Sequence, residues 1–151
     1  MNQHGFVTLE IICVILIISV LTTIAVPQMV RLLDKARLDY EMKTFLNNLE
    51  LAKSLNRVSH YDREIFVNGL PLTYETSVYI NEDSYEYQVN GQRVGERYKL
   101  PQGFMLKRNS SLKNPLEFSK NNNGTLTMIS KFGYTRKIIF DTVGRWRGDI
   151  E

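Results

Sequence analysis

A chain of 151 residues with 43% apolar and 11% aromatic content has room for one globular domain and an appendage, which excludes two ordinary domains with full cores. Its net charge of +3 is the small sum of two larger local imbalances of opposite sign. The single cysteine, Cys13, excludes an internal disulfide, and the two histidines, His4 and His60, have no Cys, Asp or Glu at metal-ligand spacing, so no metal or cofactor is expected.

From the N-terminus, "MNQHG" is followed by a stretch that turns apolar, and Ile11 to Val30 contains no charged side chain. Twenty residues rise roughly 30 Å as a helix, the thickness of bilayer hydrocarbon, so a membrane-spanning or membrane-extracted helix is predicted. A cleaved secretory signal fits less well, because Met1 to Gly5 holds no Lys or Arg and the apolar run is long for an h-region. Cys13 lies inside the run and reads as a small apolar packing residue. Arg31, Lys35 and Arg37 follow it, and taken alone they would hold the C-terminal side in the cytoplasm. Several specified residues at fixed spacing around Gly5 outweigh that bias.

An acid, Glu10, stands among the first apolar residues, although a carboxylate carried into hydrocarbon costs on the order of a few kcal/mol. A cut between Gly5 and Phe6 would supply a cation, the new Phe6 amine, one helical turn before Glu10. The two charges would pair within one chain, or between parallel helices offset along their axis, which sets a register for assembly. The pattern G-F-x-T-L-E, carried by Gly5, Phe6, Thr8, Leu9 and Glu10 ahead of a long apolar run, resembles the processing site of type IV pilins and type II secretion pseudopilins. That resemblance implies cleavage after Gly5 by a prepilin peptidase, N-methylation of Phe6, and neutralisation of an N-terminus by Glu10 in the growing filament. Pro27 fits the same family, whose helices often carry a proline at this depth, and its ring is predicted to kink or loosen the helix. An ordinary signal anchor with Glu10 near the cytoplasmic surface is the alternative, and it would not need Gly5.

Beyond Pro27 the helical pattern continues. Leu38, Met42, Phe45, Leu46, Leu49 and Ala52 fall within an arc of about 120° at about 100° per residue, opposite Lys43, so residues 31–57 are predicted to form the amphipathic half of the same helix. Near Asn56 to Tyr61 the period changes. "EIFV", "TSVYI", "YEYQV", "RVGERYKL", "FMLK", "TLTMIS" and "RKIIF" are strand-length runs rich in β-branched and aromatic residues. Asn90-Gly91, "NNNG" at 121–124 and Phe132-Gly133 read as turns, and Pro71, Pro101 and Pro115 are expected between strands. The expected fold class is α+β, a long N-terminal helix packed on an antiparallel β-sheet or small β-sandwich head at residues 62–151. In layout this resembles the H-type minor pseudopilins and FimT-type pilins, including a late I-x-F-x-x-x-G-R stretch that reads here Ile138-Ile139-Phe140-Asp141-Thr142-Val143-Gly144-Arg145.

Charge is unevenly placed along this head. Asp62 to Glu86 holds six acids against Arg63 alone, whereas residues 91–151 hold twelve Lys and Arg against five acids. In "GRWRGD", Arg145 and Arg147 flank Trp146; guanidinium groups grip phosphates, and an exposed indole would stack on a base. The stretch also resembles the G-R-x-R motif of FimT-type pilins linked to DNA uptake. By that resemblance Gly144, Arg145 and Arg147 would contact DNA, with Lys131, Arg136 and Lys137 as additions. The structural alternative has Trp146 closing the core edge and the arginines solvated or paired with a neighbouring subunit.

Nothing in the pattern composes a nucleophile–base–acid set or a Gly-rich phosphate loop, so the chain is read as a non-enzyme, with a membrane-anchored enzyme as the remaining alternative. The expected protein is a minor pilin or pseudopilin: residues 1–5 a leader, 6–30 the transmembrane and filament-core helix, the head outside the cytoplasm. The partners it implies are other pilin or pseudopilin subunits, prepilin peptidase, the inner-membrane assembly machinery and, in the DNA-uptake reading, DNA.

Overall fold

The computed structural model describes the backbone of residues 3–61, 66–67, 70–71, 75–90, 92–118, 123–141 and 145–148, with side chains from 7 to 54 and from 75 onward within those ranges. Met1, Asn2, the side chain of Phe6, Gly91, Asn121, Asn122 and Gly144 lie outside the described residues. One helix, α1 (Gln3–Tyr61), runs for 59 residues, about 88 Å at 1.5 Å per residue. Every described side chain from Val7 to Leu33 is exposed. From there the helix changes character: Leu38, Met42, Phe45, Leu49 and Ala52 are buried, with Leu46 half-buried at the margin, which is the predicted apolar arc.

Among the described residues ten strands come after it: β1 (Phe66–Val67), β2 (Leu70–Pro71), β3 (Thr76–Ile80), β4 (Ser84–Val89), β5 (Gln92–Lys99), β6 (Met105–Arg108), β7 (Leu116–Glu117), β8 (Gly124–Ile129), β9 (Thr135–Phe140) and β10 (Trp146–Gly148). They pair antiparallel into two four-stranded sheets, β5-β4-β3-β7 and β10-β9-β8-β6, and one small ladder of β1 with β2. The predicted antiparallel head on a long helix is therefore present. All seven predicted runs contain a strand, and three short strands escaped the sequence pattern. Two of them, β7 and β10, have only two or three residues, too few to show an alternation. Pro71, expected between strands, is instead the second residue of β2, opposite Phe66. In a two-stranded ladder each strand has an open side, where a missing N–H forfeits no bond.

The turns follow from local chemistry. Asn90 closes the β4–β5 hairpin at φ 51, with its backbone N–H donating to the Glu75 carbonyl (2.9 Å) and its side-chain oxygen accepting from the Glu75 N–H (2.8 Å). Gly133 takes φ 82 in the β8–β9 turn, where its N–H donates to the Ser130 carbonyl. Gly124 is required for a different reason: a Cβ there would lie 2.6 Å from Asn109 Oδ1 and 2.8 Å from Leu112.

A single apolar core joins the helix to both sheets, with Val78, Ile80 and Tyr85 from one and Leu106, Leu126, Met128, Ile138 and Phe140 from the other. Polar rungs flank the helical stripe. On one side Tyr98 donates to Glu41 (2.8 Å) and Asn48 donates to the Tyr85 hydroxyl (2.7 Å). On the other, Arg136 donates to Asp39 (2.7 Å) and Lys53 sits 4.5 Å from the centroid of Trp146, while ahead of the stripe Ser130 donates to Asp34 (2.5 Å). Residues 34 and 39 thus meet residues 130 and 136 in order, and Lys53 meets Trp146, which pairs with Phe140 at the end of β9, so α1 and β9 run alongside each other in the same direction. Aromatic packing closes the first side, where Tyr85 stacks on Tyr98 and meets Phe45 edge-on, both at 4.8 Å.

Burial pushes up the pKa of Tyr85 and Tyr98, and that of Tyr87 to about 12. A phenol whose folded pKa is raised binds its proton more tightly in the folded state, so its stabilising contribution is full below the unfolded value and falls above it. For Tyr87 that window opens near pH 10 and closes near pH 12. The Tyr87 hydroxyl also has no hydrogen-bond partner among the described residues. Urea unfolding of the full chain in detergent should therefore show Tyr87→Phe equal to or above the parent at pH 7, with a shallower loss of stability between pH 10 and 12. Phe45→Ala, which empties the junction of helix and aromatic cluster, should cost about 3–5 kcal/mol in the same assay.

Candidate functional site

Two regions carry the predicted site residues, and both are set by α1. In the first, Gly5 and Phe6 belong to the helix backbone, and Glu10 stands exposed within an apolar, exposed segment. The helix continues unbroken through Pro27. The proline leaves the Thr23 carbonyl without its usual intrahelical donor. One to two turns earlier, hydroxyls donate back to carbonyls within the same helix: Ser19 to Leu16, Thr22 to Ile18 and Thr23 to Ser19. Such back-bonding satisfies polar side chains internally, as a lipid-facing helix requires. Among the described residues one helix is long and apolar enough to cross a membrane, and none of its most apolar window is buried against the head.

In the second region, the structure separates residues that the sequence grouped together. Trp146 is half-buried, tilted against Phe118 (6.3 Å) and Phe140 (6.4 Å), with the Lys53 ammonium over its ring. It packs at the core edge with Lys53 over its ring, so only part of the indole is exposed. An open space of about 420 Å³ beside it is lined by Glu50, Lys53, Ser54 and Arg145. Arg136 is likewise withdrawn: its side chain is 15% exposed and holds Asp39 at 2.7 Å, so it ties the head to the helix and does not present a free guanidinium to a phosphate. Its position explains this, since it shares the inward face of β9 with Ile138 and Phe140.

The exposed cations lie on the opposite face. Lys137 on β9 points outward, and across the sheet the register aligns Lys107, Thr127 and Lys137, while Arg147 lies opposite Ile139 on β10. With strands about 4.8 Å apart, Lys107 and Lys137 are separated by roughly 10 Å. None of β6, β8, β9 or β10 contains an acid. Lys107 was missed in the sequence because β6 is distant from "GRWR" in the chain, and only the β6–β8–β9 pairing brings it near. Arg145 is exposed and meets Asp141 at 3.4 Å, whose other oxygen accepts from the Arg145 N–H (3.0 Å). Lys131 is exposed beside Phe132, at the far end of the same sheet from Arg145. Gly144 lies outside the described residues.

Charge on the other sheet is more self-contained. Glu86 receives Gln88 (3.2 Å) and Arg97 (3.0 Å), and these two hold its carboxyl below the usual range, the Gln88 bond contributing most. Comparison with protein-family models, with curated proteins and with solved structures found no match to this chain.

The two faces of β9 should separate by mutation. Arg136→Ala should destabilise the folded chain by about 1–3 kcal/mol, because it leaves Asp39 without its partner, whereas Lys137→Ala should change stability by less than about 0.5 kcal/mol. Urea titration of the two variants in one detergent compares them directly.

Proposed function

We propose that this chain is a minor subunit of a type IV pilus or type II secretion pseudopilus, made as a membrane-held precursor and built into the filament through α1, as an initiator or tip component. The observation that carries this reading is the division of one uninterrupted helix: residues 7–33 expose every side chain, apolar ones above all, while Leu38 to Ala52 bury a stripe in the head. A helix of that kind needs an apolar environment for its first half and gets none from the described residues of its own chain. The bilayer supplies it before assembly and neighbouring subunits supply it afterwards. Glu10 then pairs with the amine of Phe6, freed by cleavage after Gly5, and fixes the register between subunits.

Mass spectrometry of the mature chain tests the processing step: it should begin at an N-methylated Phe6, and Gly5→Ala should accumulate the precursor. A mature chain that keeps residues 1–5 would leave only an anchored β module. Glu10→Val should insert normally but reduce assembled filaments strongly, read by filament recovery against membrane-fraction levels.

A second reading, DNA uptake, is favoured by the acid-free outer face that Lys107, Lys137 and Arg147 share. Cations about 8–10 Å apart on a flat sheet suit a phosphate backbone with little sequence preference. If the face binds duplex DNA, replacing all three with Gln should flatten the slope of log affinity against log salt by about 2–3. Mobility shifts of the full chain in detergent would measure this.

A further inference from the structure

The end of the head nearest the apolar helix is built differently from the rest of its surface. Asp34 lies four residues beyond Val30, the last of the uncharged run, hence about 6 Å further along the helix. Its carboxylate accepts from the Ser130 hydroxyl (2.5 Å) and from the backbone N–H of Phe132 (3.3 Å), which pins the β8–β9 turn at that level. The turn is internally braced as well, because the Ser130 N–H donates to the Tyr134 carbonyl and the Tyr134 N–H to the Ser130 hydroxyl. What this rigid turn presents is apolar and basic: Phe132 is 48% exposed, Lys131 is exposed beside it, and Met105, opposite Ile129 at the same end of the sheet, is also 48% exposed. On the helix, Arg31 and Lys35 are exposed on the same face as Leu38 and Met42, one to two turns before the core begins. Asp34 is buried and directed into the turn, whereas Glu82, whose carbonyl accepts from the Leu106 N–H (2.7 Å), and Asp83 stand exposed on the β3–β4 turn near Met105.

Bilayer headgroup layers are roughly 5–8 Å deep on each side of the hydrocarbon, so a turn held about 6 Å beyond the apolar run lies within that layer. Aromatic rings and cations are the side chains that favour it. We propose that the β8–β9 turn is a membrane-interface foot, with Phe132 and Met105 seated among lipid headgroups and Lys131, Arg31 and Lys35 facing the phosphates of anionic phospholipid. The foot rests on the reading of α1 as a membrane span. It fixes the head upright over the bilayer before assembly, and extraction of the subunit must break it.

The test uses the full chain in vesicles of equimolar phosphatidylcholine and phosphatidylglycerol, with nickel chelate on both sides of the membrane. A nitroxide is attached to the native Cys13, or, in a Cys13→Ala background, to Phe132→Cys or to Ser110→Cys at the opposite end of the sheet. Collision with the nickel chelate reports exposure to water. The expected result is strong protection at position 13, several-fold lower nickel access at position 132 than at 110, and loss of part of that protection in pure phosphatidylcholine or with Lys131→Gln and Lys35→Gln together. Equal access at 132 and 110 with position 13 protected overturns the foot and leaves the span standing. Protection at 132 that is indifferent to lipid charge and to the lysines overturns the docking on anionic lipid, and nickel access at position 13 overturns the span and the foot together.

Discussion

One continuous helix that must satisfy two environments is the constraint on which the rest of this structure depends. A helix that ended at the membrane surface would need a capped terminus and a linker, and the head would then be free to reorient. Here one helix runs from Gln3 to Tyr61, with a backbone bond missing only at Pro27 among the described residues, so the head inherits its orientation from the apolar half. The head in turn is assembled around the helix: both four-stranded sheets send residues to the core that Phe45 and Met42 enter. Without α1 the two sheets would each expose an apolar face, which makes the second half of the helix part of the structural core.

Acids on this helix solve the problem of burial in three ways. Asp34 and Glu41 are buried and receive hydrogen bonds from the head, so their charge is held by Ser130, the Phe132 N–H and Tyr98. Asp39 sits at the margin and is matched by Arg136. Glu10 is exposed within the apolar half, and among the described residues none from the head covers it. The first two solutions fix the head to the helix. The third leaves a charge for another partner, which is why the proposed filament register rests on Glu10 and not on the acids further along.

The apolar arc Leu38 to Ala52 was legible because its period is that of the helix and its burial follows from that period alone. The strand runs were legible for a similar reason, as was Asn90, where a positive φ demanded a residue that tolerates it. The short strands β7 and β10 were not, since pairing over two or three residues is decided by what lies alongside and not by their own pattern. The basic stretch shows the same division. Arg136 and Lys137 are adjacent letters of equal charge, yet the strand's alternation sends one to Asp39 on the helix and the other to solvent.

The amino-acid sequence by itself determined the long helix, its change from wholly apolar to amphipathic, and the antiparallel β character of the head, because each of these is a local periodicity. Which cations share a face, that Trp146 closes the core, that Lys107 joins Lys137, and that the β8–β9 turn is pinned beside Asp34 were decided only in the tertiary structure. Those arrangements depend on the register between segments up to about a hundred residues apart, and a hydrogen bond or a packed ring across such a distance leaves no period in the chain that forms it.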